Sequence, residues 1–272
     1  MSASMLGSGP DSTARERAAW RSVAIPAEHG GWGLTAEPAL LGVLVAPSRA
    51  GAALAVAAFV AFTVRTPLKV VLVDRWRHRW LPRSRLAARI AAVELAILVL
   101  LALVAADLAG WAWCVPVAIA VPLVGVELWF DMRSRGRRLL PELCGSVGIA
   151  AVAASVALAG GADARLAVAL WLVLAARSLA AIPFVRVQIA RLHHRSGSPA
   201  DSDRAQFAGA VVAISAVAVD PAVAAGALAV TALLVAQVVW VRRPPVAAKV
   251  LGLRQLILGL AVVATTAVGV LA

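Results

Sequence analysis

Between Arg65 and Arg89 the chain reads RTPLKVVLVDRWRHRWLPRSRLAAR, eight Arg and Lys side chains set between two long apolar runs. A block this basic, so flanked, belongs where lipid head groups meet water, because anionic head groups attract it and hydrocarbon rejects it. It thereby fixes what its flanks do: apolar runs that begin and end at a head-group layer are membrane spans. The chain is 62% hydrophobic with a mean hydropathy of +0.88, and a bilayer core takes about 17 to 25 apolar residues per helix. Backbone polar groups must be satisfied within the span, so the expected fold is all-α and polytopic.

Apolar runs between charge clusters predict nine transmembrane helices, near 31–46, 51–72, 86–106, 110–130, 139–160, 165–185, 206–219, 221–241 and 249–271. The first is short and holds Pro38; the seventh is short and ends at Asp220-Pro221. Residues 1–25 lack the apolar stretch of a signal peptide and read as a disordered cytoplasmic tail, leaving 26–272 as one transmembrane domain. If the amino terminus is inside, all but four of the 26 Lys and Arg fall in the tail or in the second, fourth, sixth and eighth loops. Only Arg49 and Arg165 lie in the opposite loops, while Arg177 and Arg254 lie within spans. Alternation of this kind predicts an inside amino terminus and an outside carboxyl terminus. The second and sixth loops read as the long ones, which puts binding or chemistry on the cytoplasmic side. A net charge of +12 would suggest nucleic acid in a soluble chain, but basic residues at helix ends exclude that partner here.

Ionisable groups inside a bilayer each need a partner or a wet cavity. Pro26-Ala27-Glu28-His29-Gly30-Gly31-Trp32-Gly33 sets a carboxylate beside an imidazole just before the first span, so Glu28 and His29 are the candidate acid/base pair. Their structural alternative is an interfacial helix start. Arg65 and Lys69, four apart across Pro67, stack two cations on one helix face, which calls for a bound phosphate or a carboxylate such as Glu94 or Glu142. Glu127 and Asp131 are likewise four apart and suit either a divalent cation or salt bridges, the latter favoured by the arginines at 133, 135, 137 and 138. Arg138 and Glu142 repeat the spacing across Pro141. Arg177 and Arg186 lie on nearly opposite faces of the sixth span and offer anion sites. The candidate ligand-binding set is thus Arg65, Lys69, Arg177, Arg186, Glu127, Asp131 and Glu142. His193 and His194 read as solvated, and Cys114 and Cys144 as inert buried thiols; no metal or other cofactor is expected.

The runs PAEHGGWGLTAEPALLG, RTPLKVVLVDR, GRRLLPELCGSVG, ARSLAAIPFVRVQIAR and RRPPVAAKVLGLRQ resemble the YwiC-like family of bacterial membrane proteins, from Pro26 to Gln255. That resemblance implies a multi-pass protein of the bacterial cell membrane and no particular activity. A more distant similarity is to the UbiA prenyltransferases, through nine spans, an inside amino terminus, long inner loops after the second and sixth spans, and the stretch Ser134 to Gly145. It implies a UbiA-like bundle and, if the protein is an enzyme, a prenyltransferase-like transferase. That family's Asp-rich magnesium motifs fall here on Arg65 to Lys69 and on Arg177 to Arg186, which lack paired aspartates. Arginine and lysine in those places predict direct binding of a membrane lipid or isoprenoid phosphate in a cytoplasm-facing cavity without a metal. A small-anion transporter and a non-catalytic membrane scaffold are the alternatives.

Overall fold

A computed structural model describes Trp20, Val23, Ala24, Pro26 and residues 29–272, the side chain of His29 excepted. Nearly all of the expected tail, and Glu28, lie outside the described residues. Among the described residues there are nine α-helices and no strands: α1 (His29–Val45), α2 (Arg49–Trp76), α3 (Pro82–Ala109), α4 (Cys114–Met132), α5 (Leu139–Ala159), α6 (Ala164–Leu192), α7 (Pro199–Val219), α8 (Ala224–Trp240) and α9 (Ala248–Leu271). A 3₁₀ turn, Pro221–Val223, leads into α8.

Each helix falls where an apolar run predicts it. Seven are long and apolar enough to cross a membrane: α2 to α6, the stretch Pro221–Trp240 and α9. The other two fall short for visible reasons. α1 has only 17 residues, and the start of α7 carries Asp201, Asp203 and Arg204. Pro38, Pro67, Pro122 and Pro183 all lie inside helices that continue through them, as prolines do in membrane bundles where neighbours satisfy the freed carbonyl.

The second and sixth loops are shorter than the sequence implies. α2 runs on to Trp76, α3 begins at Pro82, and α6 reaches Leu192, so most of the basic block is helix rather than loop. Arginine is a good helix former, and after Pro67, which α2 passes through, no Gly or Pro interrupts the chain until Leu81-Pro82, where Pro82 opens α3 at a position suited to it. The turns that remain end alike, with His78, Ser134 and His194 at positive φ just past α2, α4 and α6, the conformation that glycine commonly supplies after a helix.

α5 and α6 form the centre of the bundle, and α1 packs on both as well as on α2 and α9. α5 is alanine-rich on its buried faces, including Ala150, Ala153, Ala154 and Ala157. Small side chains let helix backbones approach in a setting where lipid removes the hydrophobic drive between helices. Gly42 of α1 lies so close to α5 that a Cβ there would run into Val156 and Ala153. α3 packs mainly on α2 and turns Val93, Val99, Leu100 and Leu103 outward, an apolar surface suited to lipid.

Side chains tie the connections at the two ends into separate sets. At the basic end Arg77 Nη2 donates to Ser134 Oγ (2.8 Å), Arg186 Nη1 to the Arg137 carbonyl (2.9 Å), Arg191 to the Val241 carbonyl, and Arg242 Nη2 to Asp203 Oδ2 (2.7 Å). The hydrogen bond to Asp203 holds the Arg242 guanidinium above the ordinary arginine pKa. At the other end Ser48 Oγ donates to the Ala159 carbonyl, and Arg165 to the Val219 carbonyl.

Candidate functional site

α2 and α4 run side by side in the same direction, and their ionisable residues meet in register. Arg65 Nε and Nη2 donate to Asp131 Oδ2 (3.2 and 3.0 Å), and Nη2 lies 2.9 Å from Glu127 Oε1. One turn further, Lys69 Nζ donates to Asp131 Oδ1 (2.9 Å). Two cations four apart on one helix thus face two carboxylates four apart on its neighbour. Asp131 is fully buried, whereas the Lys69 side chain is 39% exposed, so the cluster is open on the lysine side.

Two glycines make the room. A Cβ on Gly145 of α5 would overlap the Glu127 carboxylate, and a Cβ on Gly136, in the α4–α5 turn, would overlap Asp131 Oδ1. Beside this cluster, Arg186 Nη1 on α6 meets Glu142 Oε2 at the start of α5 (2.7 Å).

Arg177 stands apart from these residues in the chain and in its contacts. Its Nη2 lies 2.8 Å from Glu37 Oε1 on α1 and donates to the Gln255 carbonyl on α9 (2.7 Å). The two side chains are only 3% and 4% exposed, and Gly259 again provides the space, since a Cβ there would overlap both charged groups. A charge buried this deeply persists only when paired.

Outside the clusters, at the ends of α2 and α4, lie two adjoining open clefts. One, of about 320 Å³, is lined by Trp76, Arg77, Met132, Arg133 and Arg135; the other, of about 480 Å³, by Leu72, Arg75, Trp76, His78 and Met132. None of these residues is acidic. The Arg133 guanidinium lies 4.0 Å from the Trp129 ring centre and 5.5 Å from that of Trp76, which fixes its direction by cation–π attraction. Lys69, Leu72 and Trp76 share one face of α2, by their spacing of three and four residues, so the lysine lies on the same helix face as two residues of the second cleft.

The predicted residues therefore separate. Arg65, Lys69, Glu127 and Asp131 come together, Glu142 and Arg186 pair beside them, and Arg177 joins Glu37. The carboxylates opposite Arg65 and Lys69 include Glu127 and Asp131, which the sequence reading gave instead to the arginines that follow them. Glu94 lies against the Thr63 hydroxyl, and the carboxylate opposite Arg186 is Glu142, which that reading set beside Arg138. Of the candidate acid/base pair, Glu28 and the side chain of His29 lie outside the described residues. His193 and His194 are exposed, and Cys114 and Cys144 are free thiols. The cleft arginines and Trp76 were missed as a site; basic residues alternating with tryptophan in RWRHRW were the available signal.

Magnesium held by aspartates does not fit the residues present. Asp131 is committed to Arg65 and Lys69, Asp74 accepts from Arg83 and Ser84, and no group of three His, Cys, Asp or Glu converges among the described residues.

Fold and composition together define a multi-pass helical membrane protein. Residues 25–157 match the model of the family described as YwiC-like protein, and over that stretch the chain is similar to that family. The match takes in the Glu28-His29 run, α1 to α4 and nearly all of α5, so it contains the Arg65–Asp131 cluster and the basic clefts but ends before Arg177. No curated protein and no solved structure matches the chain.

Proposed function

We propose that this protein binds the phosphate-bearing head group of an anionic lipid or isoprenoid phosphate at the clefts where α2 and α4 end. In this reading nine helices span a bacterial cell membrane in a UbiA-like bundle, the amino terminus is inside and the clefts face the cytoplasm. The observation that carries it is the lining: Arg75, Arg77, Arg133 and Arg135 with His78 and Trp76, and no carboxylate. Arginine presents a planar fork of donors to phosphate oxygens, and tryptophan suits the head-group level. Lys69 with Arg65 holds α2 at a fixed distance from α4 through Glu127 and Asp131, and Arg186 with Glu142 braces α5.

Ion pairing inside the bundle leaves the clefts as the place where positive charge is least compensated. A phosphate there would meet donors already oriented, Arg133 by its two rings and Arg77 by Ser134. Purified protein in phosphatidylglycerol discs should melt at a higher temperature than in phosphatidylcholine discs, and Arg133→Ala should remove most of that difference. Equal melting in both lipids would end the reading.

A further inference from the structure

The pair α8–α9 contains two glutamines whose side-chain amides bond to nothing among the described residues. Gln237 is wholly buried and Gln255 is 9% exposed, and both ends of both amides lack a hydrogen-bond partner. Arg177, buried to the same degree, has an unpartnered Nε although its Nη2 is engaged. Buried polar atoms in folded proteins are almost always satisfied, by water or ligand where protein does not serve.

These residues converge. The two helices run antiparallel and touch closely at Gly226 and Thr266, where a Cβ on the glycine would overlap the threonine. Gln237 lies eleven residues after Gly226, and Gln255 eleven before Thr266. Eleven residues are about three helical turns, so each glutamine lies on the face its helix turns to the other, at the same height. Nearer the basic end, the Arg254 guanidinium packs over the Trp240 ring at 5.2 Å. Gln255 is one turn from Gly259, which abuts Arg177 and Glu37.

We propose that Gln237, Gln255 and Arg177 Nε form a binding site for a neutral hydroxyl, carried by ordered water or by a small lipid-soluble alcohol or phenol. Neutrality follows from the charges: Arg177 is matched by Glu37, the glutamines carry none, and an ion there would lack a counter-charge. A hydroxyl both donates and accepts, which is what two amides and one N–H require. The site is independent of the basic clefts.

The test is an experimental structure of the full chain in discs of its native lipid, at a resolution that shows ordered water, together with melting of Gln237→Leu and Gln255→Leu. Density bridging both amides supports the site: a rounded peak identifies water, and an extended one a small molecule, whose mass native mass spectrometry should detect in wild type and not in Gln237→Leu. Each leucine variant should then melt a few degrees lower. Direct bonding of one amide to the other with no intervening density, or leucine variants that melt as high as wild type, would overturn it.

Discussion

Gly145 and Glu127 occupy each other's space: the missing side chain on α5 is where the α4 carboxylate lies, within reach of Arg65. The same relation recurs between Gly136 and Asp131, and between Gly259 and Glu37. Three buried or nearly buried carboxylates, each essential to an ion pair, are seated against a glycine. Gly145→Ala should therefore displace Glu127 and destabilise the protein by about 1–3 kcal/mol, the usual cost of overpacking. Thermal unfolding of the purified variant measures it, and Gly252→Ala, where nothing lies near the added carbon, is the control expected to melt like wild type.

Asp131→Asn removes the charge that both Arg65 and Lys69 address. Breaking one partner of a buried pair costs about 3–5 kcal/mol, and exposure of Lys69 should hold the loss toward the lower figure. Adding Lys69→Met to Asp131→Asn should recover part of it, because one uncompensated cation then disappears. A double-mutant cycle on melting temperature reads the coupling.

Glu37→Gln should be the most damaging single change among these, since Arg177 would remain charged and almost fully buried. Replacing both, Glu37→Leu with Arg177→Leu, should restore stability to within about 1–2 kcal/mol of wild type or exceed it, as paired apolar substitutions of buried ion pairs do. Any shortfall in that recovery measures what Arg177 contributes beyond pairing, through the Gln255 carbonyl and the proposed hydroxyl site.

The two ends of the bundle predict a labelling pattern. With Cys114 and Cys144 replaced by serine, Arg135→Cys and Ser196→Cys should react with an impermeant thiol reagent only from the cytoplasmic side, and Ala162→Cys only from outside. The reverse pattern would invert the orientation, and labelling of all three from one side would break the nine-span reading.

Much of the fold was legible because charges in this chain mark helix ends. The alternation of basic loops with loops nearly free of Lys and Arg located the nine helices, including α1, which is short, and α7, which is charged at its start. What was misread as long loop is helix, because Arg and Lys in the basic block carry no signal to stop a helix whose apolar face has already ended. The partners of Arg65 and Lys69 were half visible. Both they and the pair Glu127 and Asp131 have a spacing of four, and parallel neighbours join them at one offset of 62 residues. Nothing local reveals that α2 and α4 are neighbours, and the nearer arginines after Asp131 drew the assignment away. Glu37 with Arg177 was hidden for the same reason, since a contact between α1 and α6 depends on how the whole bundle closes.

The clefts are the most direct test of what the protein does. Native mass spectrometry of gently extracted wild type should show a retained phosphate-bearing lipid, and the triple variant Arg77→Gln, Arg133→Gln, Arg135→Gln should lose it by roughly tenfold or more, the effect of one charged hydrogen bond or better. Equal retention by the variant, or a wild type that carries no such lipid, would contradict the account.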